Sequence, residues 1–285
     1  MSCLEAYRQD GWAQDLGIEV IQADSNTIRM SLPFKTKNLQ GEGGVVHGGV
    51  IGTLLHDAGA LLSNQLFDTS TDTPMHTVDF QINYLRATKD NTLTCQANIL
   101  RQARHYAFVE SLAVDEQERV IAQARMVFGV QQSGTQSKNI STHLYQSLVN
   151  SPIGEEQHSF LEMLNSNLSQ RRPGFSILGA HGGTCQVEVE NQPVNKNYSD
   201  NLAVGAQIFA ADSAGVFSSF TCGEPLTKAA TIDLKLSPCT PIKNENLIAI
   251  ANSLYMHNKT IHHQLVLFGK ESKDLAAIGS MTLSI

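Results

Sequence analysis

The sequence predicts an α+β chain made of two similar halves, each an antiparallel sheet with one long helix. Two observations carry this. The predicted strands gather in hairpin order around a single long helix instead of alternating strand, helix, strand, which argues against a parallel Rossmann-type sheet. The pattern also occurs twice: residues 77–83 (TVDFQIN) resemble residues 231–237 (TIDLKLS), an offset of 154 positions in a chain of 285. Upstream of each lies a helix of small residues, Leu54-Leu55-His56-Asp57-Ala58-Gly59 in one half and Ala210-Ala211-Asp212-Ser213-Ala214-Gly215 in the other. Each half also closes alike, with Val120-Ile121-Ala122-Gln123-Ala124 after one polar turn and Leu275-Ala276-Ala277-Ile278-Gly279 after another. Three matches in the same order indicate duplication.

Taken in order, the first half opens with an amphipathic helix at residues 4–16 and the second with one at 155–168. Strands follow, such as residues 27–32, whose side chains alternate across a sheet. The long helices are expected at 46–67 and 202–220. Strands at 75–85, 93–100, 107–114 and 120–130 close the first half. The polar stretch 131–141 (QQSGTQSKNIS) reads as a linker, with domains at 1–134 and 135–285. His181-Gly182-Gly183 precedes a strand at 185–189 and reads as a turn. His262-His263 sits in an alternating strand, where neighbours face opposite sides, so it is a poor metal pair.

Composition narrows the function. Hydrophobic residues make up 41% and charged residues 16%, enough apolar surface to exclude intrinsic disorder. Lys and Arg number 20 against 27 Asp and Glu, a net charge of −7. Gripping a phosphate backbone needs a cationic field, so no nucleic-acid partner is expected. No apolar run approaches the roughly 20 residues that span a bilayer, so no membrane partner is expected. The start, Met1-Ser2-Cys3-Leu4-Glu5-Ala6, lacks a basic-then-apolar leader, which fits a cytoplasmic location. Five cysteines with no short spacing suit neither a disulfide framework nor a CxxC metal site. HExxH, GxSxG, P-loop and GxGxxG patterns are all missing, and no cofactor or metal is expected.

The two long helices carry the unusual residues. The first has an apolar stripe through Val50, Ile51, Leu54, Leu55, Ala58 and Leu61, yet it also holds Gly48, Gly49, Gly52 and Gly59. Helical glycine costs about 1 kcal/mol relative to alanine, so each needs a reason. Close packing is the reason expected for Gly52 and Gly59. Gly48 and Gly49 stand where unsatisfied N–H groups and the positive dipole end point outward. Bare backbone there lets a carbonyl oxygen approach, as in an oxyanion hole; a flexible helix start is the other reading. The second helix is apolar nearly all round, with Asp212 its only charge. A buried carboxylate is costly unless bonded, and such groups concentrate at active sites; a solvated gap or a bond to Ser213 is the alternative.

Val46-His47-Gly48-Gly49-Val50-Ile51-Gly52, followed by Val78-Asp79-Phe80-Gln81-Ile82-Asn83-Tyr84-Leu85-Arg86, resembles the hotdog-fold acyl-CoA thioesterases, nearest the phenylacetate-pathway and 4-hydroxybenzoyl-CoA type. The second half keeps Ala230-Thr231-Ile232-Asp233 and resembles the second half of double-hotdog acyl-CoA thioesterases. The resemblance implies a double hotdog: two antiparallel sheets, each wrapped around a long central helix. It also implies thioester hydrolysis of an acyl-CoA substrate. A helix acid acts on water or the carbonyl, a strand hydroxyl holds the water, and a glycine N–H at the helix start polarises the carbonyl. Those roles fall to Asp57 or Asp212, to Thr77 or Thr231, and to Gly48 with Gly49, His47 shaping the helix start.

Two departures from the family pattern bear on that assignment. The family acid stands nine residues after the HGG histidine, a position held here by His56, with Asp57 one further on. One residue turns a helix by about 100°, which aims Asp57 elsewhere. The family's partner glutamine has no counterpart, Ser280 or Met281 standing near its place. In hotdog dimers the glycine and the acid come from opposite subunits. The resemblance therefore implies one intact composite site (His47, Gly48 and Gly49 with Asp212 and Thr231) and a weakened mirror site with Asp57, Thr77 and the residues near Asn201. Arg101 and Arg104 fall where relatives carry basic residues near the coenzyme A phosphates; ordinary strand-end charge is the other reading. A non-catalytic acyl-CoA-binding protein is the alternative function and a hotdog dehydratase a third. The expected assembly is a homo-oligomer, a dimer of double hotdogs.

Overall fold

The computed structural model describes residues 2–40, 44–69, 75–130, 158–223 and 229–285. Their contacts divide into two units, Met1–Gly134 with Pro193–Phe209 and Thr135–Gln192 with Ala210–Ile285. The linker expected at 131–141 lies outside the described residues. Among the described residues no helix is long and apolar enough to cross a membrane.

In the N-terminal unit the helix expected at 4–16 is two helices, α1 (Cys3–Tyr7) and α2 (Gly11–Leu16). The break has a local and a distant cause. Asp10 caps α2, its carboxylate accepting the Ala13 N–H at 2.9 Å. The Gly11 and Trp12 N–H groups turn instead to the Lys196 carbonyl, at 3.1 and 3.3 Å. That approach is close enough that a side chain at Gly11 would collide with the Pro193 carbonyl.

The strands of this unit are β1 (Glu19–Ala23), β2 (Thr27–Leu32), the short ribbon β3 (Leu39–Gln40) and β4 (Val45–Val46), then β5 (His76–Tyr84), β6 (Leu93–Gln102), β7 (Tyr106–Val114) and β8 (Val120–Gly129). The main strands lie antiparallel in the order β1-β2-β6-β7-β8-β5. Helix α3 (Gly48–Leu66) packs on the inner face of β2, β6, β7 and β8. Ile28, Met30 and Val109 line that face, Phe80 and Ile82 of β5 extend it, and all five are buried. Gly59 is bare because Met126 Cε would lie 2.7 Å from a Cβ there. Gly52 is bare because Ile208 Cγ2 would lie 2.7 Å away. Both glycines serve close packing, as expected.

The C-terminal unit repeats this plan. Helix α4 (His158–Arg171) precedes β9 (Phe175–His181) and β10 (Thr184–Val189). Gly182 and Gly183 make the tight turn between them, with φ of +55° and +82°, the left-handed pair a two-residue hairpin demands. Helix α5 (Val204–Ser219), which belongs to this unit from Ala210 on, follows, then β11 (Ala230–Pro238), β12 (Leu247–His257), β13 (Thr260–Gly269) and β14 (Leu275–Ser284). The order β11-β14-β13-β12-β10-β9 matches β5-β8-β7-β6-β2-β1 strand for strand. His262 faces out and His263 faces in, as alternation requires.

Both units share one irregularity. The register of β5 slips between Thr77 and Asp79, and that of β11 between Thr231 and Asp233. A β-bulge sets two residues against one, so the face of the strand resets there. Strict alternation would put Thr77 and Phe80 on opposite faces. The bulge lets both face inward, and both are buried.

Candidate active site

The start of α3 is locked by side chains. His47 is its N-cap, and the ring Nδ1 accepts the Gly49 N–H at 3.0 Å. That bond leaves the proton of a neutral ring on Nε2. The ring stacks on Phe209, centroids 4.1 Å apart. A Cβ on Gly49 would lie 2.5 Å from the Phe209 Cα, so backbone crowding explains this glycine. Thr53 Oγ1 donates to the Gly49 carbonyl at 2.9 Å and accepts from Trp12 Nε1 at 3.2 Å. Tyr84 donates its hydroxyl to the Gly48 carbonyl at 2.9 Å.

The sequence reading offered the N–H groups of both glycines to a ligand. The geometry divides them. The Gly49 N–H is directed at His47, whereas among the described residues the Gly48 N–H meets no acceptor. It lies at the positive end of a helix of 19 residues, half-buried, with the chemistry of an oxyanion donor.

The ninth residue of each long helix meets a hydroxyl. In α5, counted from Val204, it is Asp212, which is 1% exposed. Its Oδ1 accepts the Thr231 hydroxyl at 2.8 Å, so the buried carboxylate is bonded to the strand. One turn further on, a side chain at Gly215 would collide with Met281. Met281 is thus the inward-facing residue of β14 near this acid, and Ser280 points out. A thioether occupies the face and supplies no amide donor. Opposite Met281 on β13 stands His263, 2% exposed, whose ring burial pushes down to about 4.

In α3, counted from Gly48, the ninth residue is His56. Its Nε2 lies 2.8 Å from Thr77 Oγ1, and its Nδ1 lies 2.9 Å from Asp57 Oδ1. Phe80 and Phe128 flank the ring, each centroid 5.9 Å away. Asp57 uses its other oxygen to accept the Tyr7 hydroxyl at 2.8 Å. Burial, and then the Asp57 charge, hold the Tyr7 hydroxyl well above its ordinary range, so it stays a donor. The same two causes raise the buried Asp10 carboxyl. The displaced Asp57 therefore faces α1 and the imidazole, while His56 takes the position that matches Asp212. Sequence reading noted His56 only as a departure and gave Tyr7 no role. Counting from the helix start was the signal available for His56.

Arg101 and Arg104 sit exposed at the β6–β7 hairpin, just past a bulge between Ile99 and Arg101. Among the described residues no group of three His, Cys, Asp or Glu is arranged to hold a metal ion.

Similar folds are known over nearly the whole length. A protein of Alicyclobacillus acidocaldarius with the hot dog fold superposes with a TM-score of 0.65 at 10% identity, covering 98% of this chain and 97% of that one. The acyl-CoA thioesterase II TesB2 of Mycobacterium marinum gives 0.60 at 12% identity, covering 95% and 96%. The chain is a double hotdog. Residues 43–122 of the double hotdog match the sequence model of the thioesterase superfamily. That stretch holds His47, Gly48, Gly49, His56, Asp57 and Thr77; Asp212 and Thr231 belong to the second repeat. A protein of Halobacterium salinarum named as an esterase is 29% identical over 102 residues, 34% of the double hotdog and 66% of its own length. The match therefore spans just under two thirds of that relative.

Proposed function

We propose that the chain hydrolyses acyl-CoA thioesters to a free acid and coenzyme A. The observation that carries this reading is the bond between Asp212 and Thr231. Thr231 donates its proton to the carboxylate, so its oxygen lone pairs are left to accept from a water molecule. The carboxylate then takes the proton of that water as its oxygen attacks the thioester carbonyl. The carbon–sulfur bond breaks, and the thiol leaves with a proton. General-base assistance of this kind contributes roughly 10²–10⁴-fold to rate. Arg101 and Arg104 are assigned to the coenzyme A phosphates on their charge and exposure. The superfamily match and the name of the M. marinum structure both favour thioester substrates.

The experiment is release of free thiol from a panel of short, long and aromatic acyl-CoAs by the full chain. Turnover above the uncatalysed rate on at least one member is expected. Binding without thiol release across the panel would replace this reading with that of a non-catalytic acyl-CoA carrier.

A further inference from the structure

The N-terminal unit has an arrangement that the C-terminal unit lacks. Where Asp212 bonds its threonine directly, an imidazole stands between hydroxyl and carboxylate in the other repeat: Thr77 Oγ1 to His56 Nε2 at 2.8 Å, and His56 Nδ1 to Asp57 Oδ1 at 2.9 Å. Nucleophile bonded to base, and base bonded to an orienting acid, is the geometry that activates a hydroxyl. Each member is held from behind. The bulge at Val78 turns Thr77 toward the helix. Phe80 and Phe128 fix the plane of the ring. The Tyr7 hydroxyl pins the far oxygen of Asp57. With Nδ1–H donated to the carboxylate, the Nε2 lone pair faces the threonine proton.

We propose that Thr77, His56 and Asp57 form a second thioester-cleaving site, in which Thr77 becomes acylated. The proposal rests on the reading of the chain as an acyl-CoA hydrolase. The Thr77 oxygen attacks the acyl carbon and its proton passes to His56 Nε2. The carbon–sulfur bond breaks with its electron pair on sulfur, and the thiol takes the proton from Nε2. An acyl ester on Thr77 remains. Water then attacks that ester, losing a proton to Nε2, and the proton returns to the Thr77 oxygen as the free acid leaves. The balance is thioester plus water giving acid plus thiol. Gly48 does not serve this site, because it lies eight residues back along α3, about 12 Å of helix. Asp57 is a positioning residue, holding the imidazole in the productive tautomer.

The test uses the full chain and Asp212→Asn, which silences the acid of the other repeat. Each is mixed with a substrate that releases thiol, quenched in acid within seconds, digested and weighed by mass spectrometry. The expected result is one acyl group on the peptide that contains Thr77. It should persist in Asp212→Asn and in Thr77→Ser, and vanish in Thr77→Val and His56→Gln. Thr77→Ser keeps the hydroxyl and guards against simple misfolding. Asp57→Asn should slow acylation roughly 10²-fold or more without changing KM, since it disturbs only the tautomer. Thiol release with no acyl group on Thr77 overturns this inference and leaves the hydrolase reading intact. No thiol release by the wild-type chain overturns both.

Discussion

Asp212 and Thr231 meet at 2.8 Å, joining the middle of α5 to the bulged start of β11 inside the C-terminal unit. An isosteric amide keeps the shape of that contact and removes the base. Asp212→Asn should therefore lower turnover by about 10²–10⁴-fold on a substrate the wild type cleaves. Asp57→Asn should cost far less overall turnover in the same assay, because Asp57 acts through His56. Near-normal turnover in Asp212→Asn beside a dead Asp57→Asn would move the main chemistry to the N-terminal unit.

Gly49 and Gly52 should differ in their tolerance of a methyl group. At Gly49 the obstacle is the Phe209 Cα, 2.5 Å from a Cβ, and backbone cannot step aside. At Gly52 it is the tip of Ile208, 2.7 Å away, which has rotamers to use. Gly49→Ala should lose about 1–3 kcal/mol of unfolding free energy, and Gly52→Ala less. Urea denaturation midpoints measure the order; equal losses would contradict the crowding at Phe209.

Asp10 offers a test by pH. Burial first, and the charge of Asp57 second, raise its carboxyl above the ordinary value of 3.8. A carboxyl raised in the folded state binds more protons folded than unfolded. Stability is then lost as pH climbs from the ordinary value through the raised one. Asp10→Asn retains an oxygen to cap α2 and removes the charge. Its Tm should gain on that of the wild type between pH 5 and pH 8. A difference that stays constant over that range would assign the effect elsewhere.

The assembly prediction concerns exposed apolar side chains. Leu254, Tyr255 and Met256, near the end of β12, are 62%, 60% and 51% exposed. Large apolar side chains left exposed in this way favour self-association. We expect a homo-oligomer, most simply a dimer of the chain. A single light-scattering peak near 31.0 kDa across micromolar concentrations would refute it.

Much of this was legible in the sequence, and the rest was hidden for identifiable reasons. The duplication was readable, because aligned runs such as TVDFQIN and TIDLKLS survive as β5 and β11. The HGG start of α3 was readable from its glycines. The split between α1 and α2 was not, because part of its cause, the Lys196 carbonyl, lies far along the chain. Neither bulge shows in the residue pattern, yet without one Thr77 would share a face with Asp79. The pairing of His56 with Thr77 depends on both the bulge and the helix register. The bond from Tyr7 to Asp57 depends on where α1 comes to rest, which no local spacing encodes.

The two ninth helix positions, His56 and Asp212, hold different side chains over equivalent threonines. A protein that assembles the same fold from two copies of one half has a single codon for that position. Any change there is made twice, and a histidine and an aspartate cannot coexist. Joining the halves in one reading frame removes that constraint. Each repeat can then be altered while the other preserves the original chemistry. Inheritance of the fusion, more than any one contact, is what permits a single chain to hold a histidine over one threonine and an aspartate over its counterpart.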